Sequence, residues 1–171
     1  MRKAFPAVQF FFLILISVSS CKKNADGNGG SSQDFYLRFK ANGIQNEYKA
    51  HAEGNFNRVS GEVVVNIPAF VPRKMVGKVS GMTHFKIVAA AAAINFDTEA
   101  YEYAMQGTPE LPYNGDPTQA TILTLALPAN STGNVVVVLG IEYIQQVNTK
   151  SYSLKSGNQN AATILLVDKP V

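Results

Sequence analysis

The feature that most constrains this chain is an alternation of period two around an Asn-Gly pair. Phe35, Leu37 and Phe39 alternate with Tyr36, Arg38 and Lys40. Ile44, Tyr48 and Ala50 alternate with Gln45, Glu47 and Lys49 on the other side of Asn42-Gly43. Successive side chains of a strand point to opposite faces, so this pattern buries one face and wets the other. Asn and Gly tolerate positive φ, which a two-residue type I′ hairpin turn requires. The spacing predicts an antiparallel hairpin.

Further strands follow from the same reasoning. Val63–Ile67 ends at Pro68 and Thr121–Leu127 ends at Pro128, and proline cannot donate to a ladder. Val135–Leu139 is β-branched and apolar on both faces, the pattern of a strand central to a packed core. Ser151–Leu154 and Ala161–Val167 add two more, separated by Ser156-Gly157-Asn158. Short strands punctuated by Gly, Asn and Pro predict an all-β fold, a single antiparallel β-sandwich with a barrel as the alternative. His84–Ile94 is ambiguous. Its five alanines favour helix, with Thr83 as a cap, whereas the alternation of Phe85, Ile87 and Ala89 favours strand. Strand is the preferred reading.

The first thirty residues have a different character. Arg2 and Lys3 precede an apolar stretch from Ala4 to Val18, with Phe10–Ile16 unbroken. At roughly 15 residues it matches a secretory signal and falls short of the roughly 20 that a spanning helix needs. Val18-Ser19-Ser20-Cys21 resembles the bacterial lipobox: an aliphatic residue, two small residues, then cysteine. Serine at position 20 stands where alanine or glycine is commoner. The resemblance implies cleavage between Ser20 and Cys21 and lipidation of Cys21. Several acyl chains on one residue would hold the protein on a membrane, where one chain would not. The only cysteine of the chain is thereby explained; a single cysteine permits neither an internal disulfide nor a four-cysteine zinc site.

Lys22–Asp34 contains no large apolar residue and reads as a flexible tether, extensible to roughly 45 Å. The expected organisation is therefore a signal peptide over residues 1–20, the lipidated cysteine and tether over 21–34, and a β-sandwich domain over 35–171. The segment from Phe39 through Asn42-Gly43 to Tyr48, just after the tether, also resembles the opening hairpin of small Bacteroidota lipoproteins. That resemblance implies a β-sandwich and brings no catalytic residues. Aspartate does not follow Cys21, so the resemblance to an inner-membrane retention signal is absent. Lys22 and Lys23 stand where surface-displayed lipoproteins of that group carry acidic residues. The implied location is the outer membrane, facing the periplasm rather than the cell surface.

The formal charge of +3 overstates the basic character. Two of the 15 basic residues, Arg2 and Lys3, lie in the segment expected to be removed, leaving an excess of one over the 12 acidic residues. No run of like charge exceeds two, so a nucleic-acid partner is not expected.

Catalytic patterns are sparse. No Gly-x-Ser-x-Gly elbow occurs, and His51 and His84 have no triad partners nearby in sequence. Asp97, Glu99 and Glu102 form the densest carboxylate cluster, with Glu110 and Asp116 in the same polar stretch. Calcium or a glycosidic bond would each need such oxygens held at fixed separations. Tyr101, Tyr103 and Tyr113, interleaved with prolines, make Thr98–Gln119 the candidate binding loop. The reading is a non-enzymatic, lipid-anchored envelope lipoprotein without metal or cofactor. Its partners would be the membrane, through the lipid on Cys21, and an envelope protein or glycan. A lipocalin-like barrel around a small apolar ligand and a carboxylate-based hydrolase are the alternatives.

Overall fold

The computed structural model describes residues 30–41, 44–154 and 160–170, with side chains from residue 52 onward. The signal segment, Cys21, the tether up to residue 29, Asn42-Gly43 and Ser156-Gly157-Asn158 lie outside the described residues. Among the described residues the fold is antiparallel β, with one helical turn. In chain order the elements are β1 (Gly30–Ala41), β2 (Ile44–Asn57), β3 (Glu62–Ile67), α1 (Pro72–Met75), β4 (His84–Asn95), β5 (Ala100–Gly107), β6 (Leu111–Pro112), β7 (Thr121–Ala126), β8 (Asn134–Val147), β9 (Lys150–Ser153) and β10 (Ala161–Asp168). Sheet A has the order β1-β2-β3-β7. Sheet B has the order β10-β8-β4-β5, with β6 also paired to β4 and β9 to β8.

The expected hairpin is β1–β2, whose register places Ala41 opposite Ile44 and so leaves two residues for the turn. β1 begins at Gly30, before the expected domain boundary at Phe35. Residues 30–34 pair with β2, from Gly30 opposite Asn55 to Asp34 opposite His51. Ladder bonds come from the backbone, so a polar segment extends a strand that apolar alternation does not mark.

The alanine-rich segment is strand β4, not helix. It lies between β8 and β5 in the sheet, which meets its backbone bonding on both edges. Phe85, Ile87, Ala89, Ala91 and Ala93 point inward and are buried, so tertiary pairing overrides the helix propensity of alanine. Thr83 does not cap a helix: its hydroxyl accepts from the Gln146 N–H at 2.8 Å.

The core lies between the two sheets. Sheet A supplies Ala52, Phe56, Val63, Val65, Ile67, Leu123 and Leu125; from sheet B come the inward side of β4 and Val135, Val137, Leu139, Ile141 and Tyr143 on β8. Each fully buried Val, Leu, Ile or Phe contributes about 1.5–3 kcal/mol relative to exposure. Gly54 sits beneath Leu165, where a Cβ would come within 2.7 Å of that side chain. Arg58 clamps the sheets at one end: its guanidinium donates to the Ser131 carbonyl at 2.5 Å and the Gly133 carbonyl at 3.1 Å, and pairs with Asp168. On one open side Gln106 of β5 accepts the Thr124 N–H of β7 through its side chain at 2.8 Å, in place of a ladder. The architecture is therefore a sandwich of two sheets, consistent with a half-barrel curl.

Candidate interaction face

Thr98–Gln119 is not one loop. Most of it is strand β5, the short β6 and the connections around them. Tyr101, Tyr103 and Met105 alternate with Glu102, Ala104 and Gln106, and that period of two was legible in the sequence beneath the prolines that follow it. Tyr101 and Tyr103 point outward from sheet B, with ring centroids 6.4 Å apart and planes tilted by 36°. Tyr113 does not join them. It is half-buried, packs against the core and donates its backbone N–H to the Thr83 carbonyl at 2.9 Å.

The register shows what lies beside the two tyrosines. Tyr101 stands opposite Ile94, and Ile94 opposite Asn134. The next outward row is Tyr103, Ala92, Val136 and Val167. The row after it is Met105, Ala90, Val138 and Ile164. Gly107, Val88, Gly140 and Ala162 complete the field. The first charge comes one row further along, where Lys86 stands opposite Glu142. Four strands thus share an outer face on which three successive rows carry no charge.

The relief of this face follows from residue size. Its floor on β4 and β8 is alanine, valine and glycine, while β5 raises a wall of large side chains. Met105 is 68% exposed, Tyr103 53% and Val167 53%. The apolar run Val135–Leu139 does not bury both faces: its odd members are buried and its even members are half-buried at this surface. Apolar rows rimmed by charge at Lys86 and Glu142 make this the candidate interaction surface.

The remaining candidate residues do not assemble. Asp97 and Glu99 lie in the β4–β5 turn, where the Asn95 side chain accepts from the N–H groups of Asp97 and Thr98 at 3.0 and 3.1 Å. Glu110 accepts from the Ser151 hydroxyl at 2.5 Å, and Asp116 accepts from the Asn114 side-chain amide at 2.9 Å. Among the described residues no group of three or more His, Cys, Asp or Glu side chains could hold a metal ion. His84 lies 2.9 Å from its neighbour's hydroxyl, and the side chain of His51 lies outside the described residues. An open groove of about 370 Å³ on sheet A is lined by Glu53, Asn66, Pro68, Ala120 and their neighbours.

Two buried polar groups serve the fold rather than a site. Thr108 is buried where β4 passes from β5 to β6. Its N–H donates to the Ile87 carbonyl at 2.9 Å, its hydroxyl accepts from the Ile87 N–H at 3.1 Å and donates to the Pro109 carbonyl at 2.9 Å. Tyr143 is 2% exposed, and burial, reinforced by Tyr113, pushes its phenol up to about 12.

No described helix is long and apolar enough to cross a membrane. No protein-family model matches the chain, and no curated protein or solved structure matches it.

Proposed function

We propose that this chain is a lipid-anchored lipoprotein of the cell envelope whose β-sandwich binds a partner through the outer face of sheet B, without catalysis. The observation that carries the binding role is the charge-free, four-strand outer face. The sequence around Cys21 carries the anchor. Diacylglycerol on the sulfur and acylation of the new amine would fix residue 21 to the outer membrane, facing the periplasm. β1 begins at Gly30, and the eight residues between Cys21 and Gly30 can span at most roughly 30 Å. The partner would be an envelope protein or a glycan, held by shape and apolar contact rather than by charge.

Labelling cells with an alkyne fatty acid tests the anchor. The wild type takes up the label and partitions into detergent, and Cys21→Ala does neither. Equal labelling of the two would overturn the anchor.

A further inference from the structure

We propose that the outer face of sheet B is covered by the same face of a second copy of this chain, in a two-fold pair whose axis runs along the strands between β4 and β8. This rests on the reading of that face as a binding surface and names its occupant.

Size is the first argument. Four strands about 4.8 Å apart and seven residues at about 3.4 Å each give a face of roughly 450 Å² in outline. Two such faces cover about 900 Å², and projecting side chains raise the accessible area above that outline. The pair therefore lies near the lower bound of about 1,000 Å² for a specific association and well below the roughly 1,600 Å² of a standard one. A dissociable dimer is expected in dilute solution. Confinement to a membrane raises the effective concentration of a weak pair without adding a contact.

Shape is the second. A two-fold along the strands sets β5 of one copy against β10 of the other, and β4 against β8. At the same level Tyr103 then meets the smaller Val167, and Met105 meets Ile164, a side chain of similar size. The alanines of β4 meet the valines of β8. Two such faces interdigitate as the inner faces of a sandwich do.

Chain entry is the third. β1 starts beside Asn55, three residues before Arg58, which is tied to Asp168 at the end of β10. That is the Tyr101 end of the face. An axis along the strands keeps both entry points at the same end of the pair, where two anchors can reach one membrane. An axis across the strands would send them to opposite ends. A lipid surface is the weaker occupant, because anionic headgroups draw on Lys and Arg and the three central rows offer neither.

Thiol cross-linking of the full chain in cells decides it. Ala90→Cys places a thiol near the axis, and Val64→Cys places one on the outer face of sheet A. With a short bis-maleimide, Ala90→Cys gives a product of twice the mass at ten times or more the yield of Val64→Cys or the wild type, which carries only Cys21. Adding Val138→Asp to Ala90→Cys removes that product while the thermal melt is retained. A monomer alone, a product joined to a protein of another mass, or equal yield from Val64→Cys would overturn the proposal. Loss of fatty-acid label with the dimer retained would count against the anchor alone.

Discussion

On the outer face of sheet A every described row carries a polar or charged side chain. Glu53, Asn66 and Ile122 form one row, Asn55, Val64 and Thr124 the next, and Asn57, Glu62 and Ala126 the third. The outer face of sheet B carries no charge across three rows of three or four strands. Both sheets use the same period of two, and both bury their inward residues in one core. The difference lies in what alternates with those residues. A strand that alternates apolar with polar needs one neighbour, the opposite sheet. A strand apolar on both faces is built for a neighbour on each side. In this fold sheet A supplies one of them, and the proposed second copy would supply the other.

The sharpest way to break the comparison is to place one charge on either side of a single strand. Val137 and Val138 are consecutive on β8, the first fully buried and the second outward. Val137→Asp buries an unpaired charge and costs about 4 kcal/mol or more, enough to unfold a marginal domain. Val138→Asp leaves the unfolding free energy of the monomer within about 0.5 kcal/mol of wild type and abolishes association. Equal destabilisation by both would mean that the outer side of β8 is already covered within the domain.

Tyrosine offers the next contrast, because Tyr143 points into the core while Tyr101 and Tyr103 point out of sheet B. The phenol of Tyr143 is held at about 12 against an ordinary 10.0. The unfolded chain therefore ionises first as pH rises. Its contribution is fully present below pH 10 and is lost as pH climbs towards 12, amounting to about 2 kcal/mol by pH 11.5. Urea melts at pH 9.5 and 11.5 should show this loss in the wild type and not in Tyr143→Phe.

Thr108 tests whether sheet B holds its edge through one hydroxyl. Thr108→Val keeps the shape and leaves the Ile87 N–H without its 3.1 Å partner. The expected cost is about 1–3 kcal/mol, with faster amide exchange at Ile87. The smallest effect concerns the β8–β9 turn, whose residues Asn148 and Thr149 have φ of 48° and 65°. A β-branched residue is strained there. Thr149→Gly should stabilise the domain by about 0.5–1 kcal/mol in thermal melts, the relief being offset in part by glycine's entropy.

Much of this architecture was legible in the residues. Pro68 and Pro128 end strands where expected, and the Asn42-Gly43 spacing gives a two-residue connection between β1 and β2. β4 was open to two readings, because alanine propensity and alternation point in opposite directions and only the neighbouring strands decide. The interaction face was half legible. Tyr101 and Tyr103 stood out as aromatic residues, but Met105, Ala90, Val136, Val138 and Ile164 join them only through register, which a single sequence does not reveal. Val135–Leu139 carried the missing signal. An apolar run on both sides of a strand says that both faces want cover, without saying what supplies it.

The most direct test compares two tyrosines of equal exposure. Tyr103, on the β5 edge of the charge-free rows, and Tyr152, on β9 beyond them, are each 53% exposed in the isolated chain. Hydroxyl-radical footprinting of the intact protein in cells, read by mass spectrometry, gives the oxidation rate of each. If the face is covered, Tyr103 oxidises several-fold more slowly than Tyr152, and Met105 is protected with it. Equal rates for the two tyrosines would show the face open to water and contradict its role as an interface.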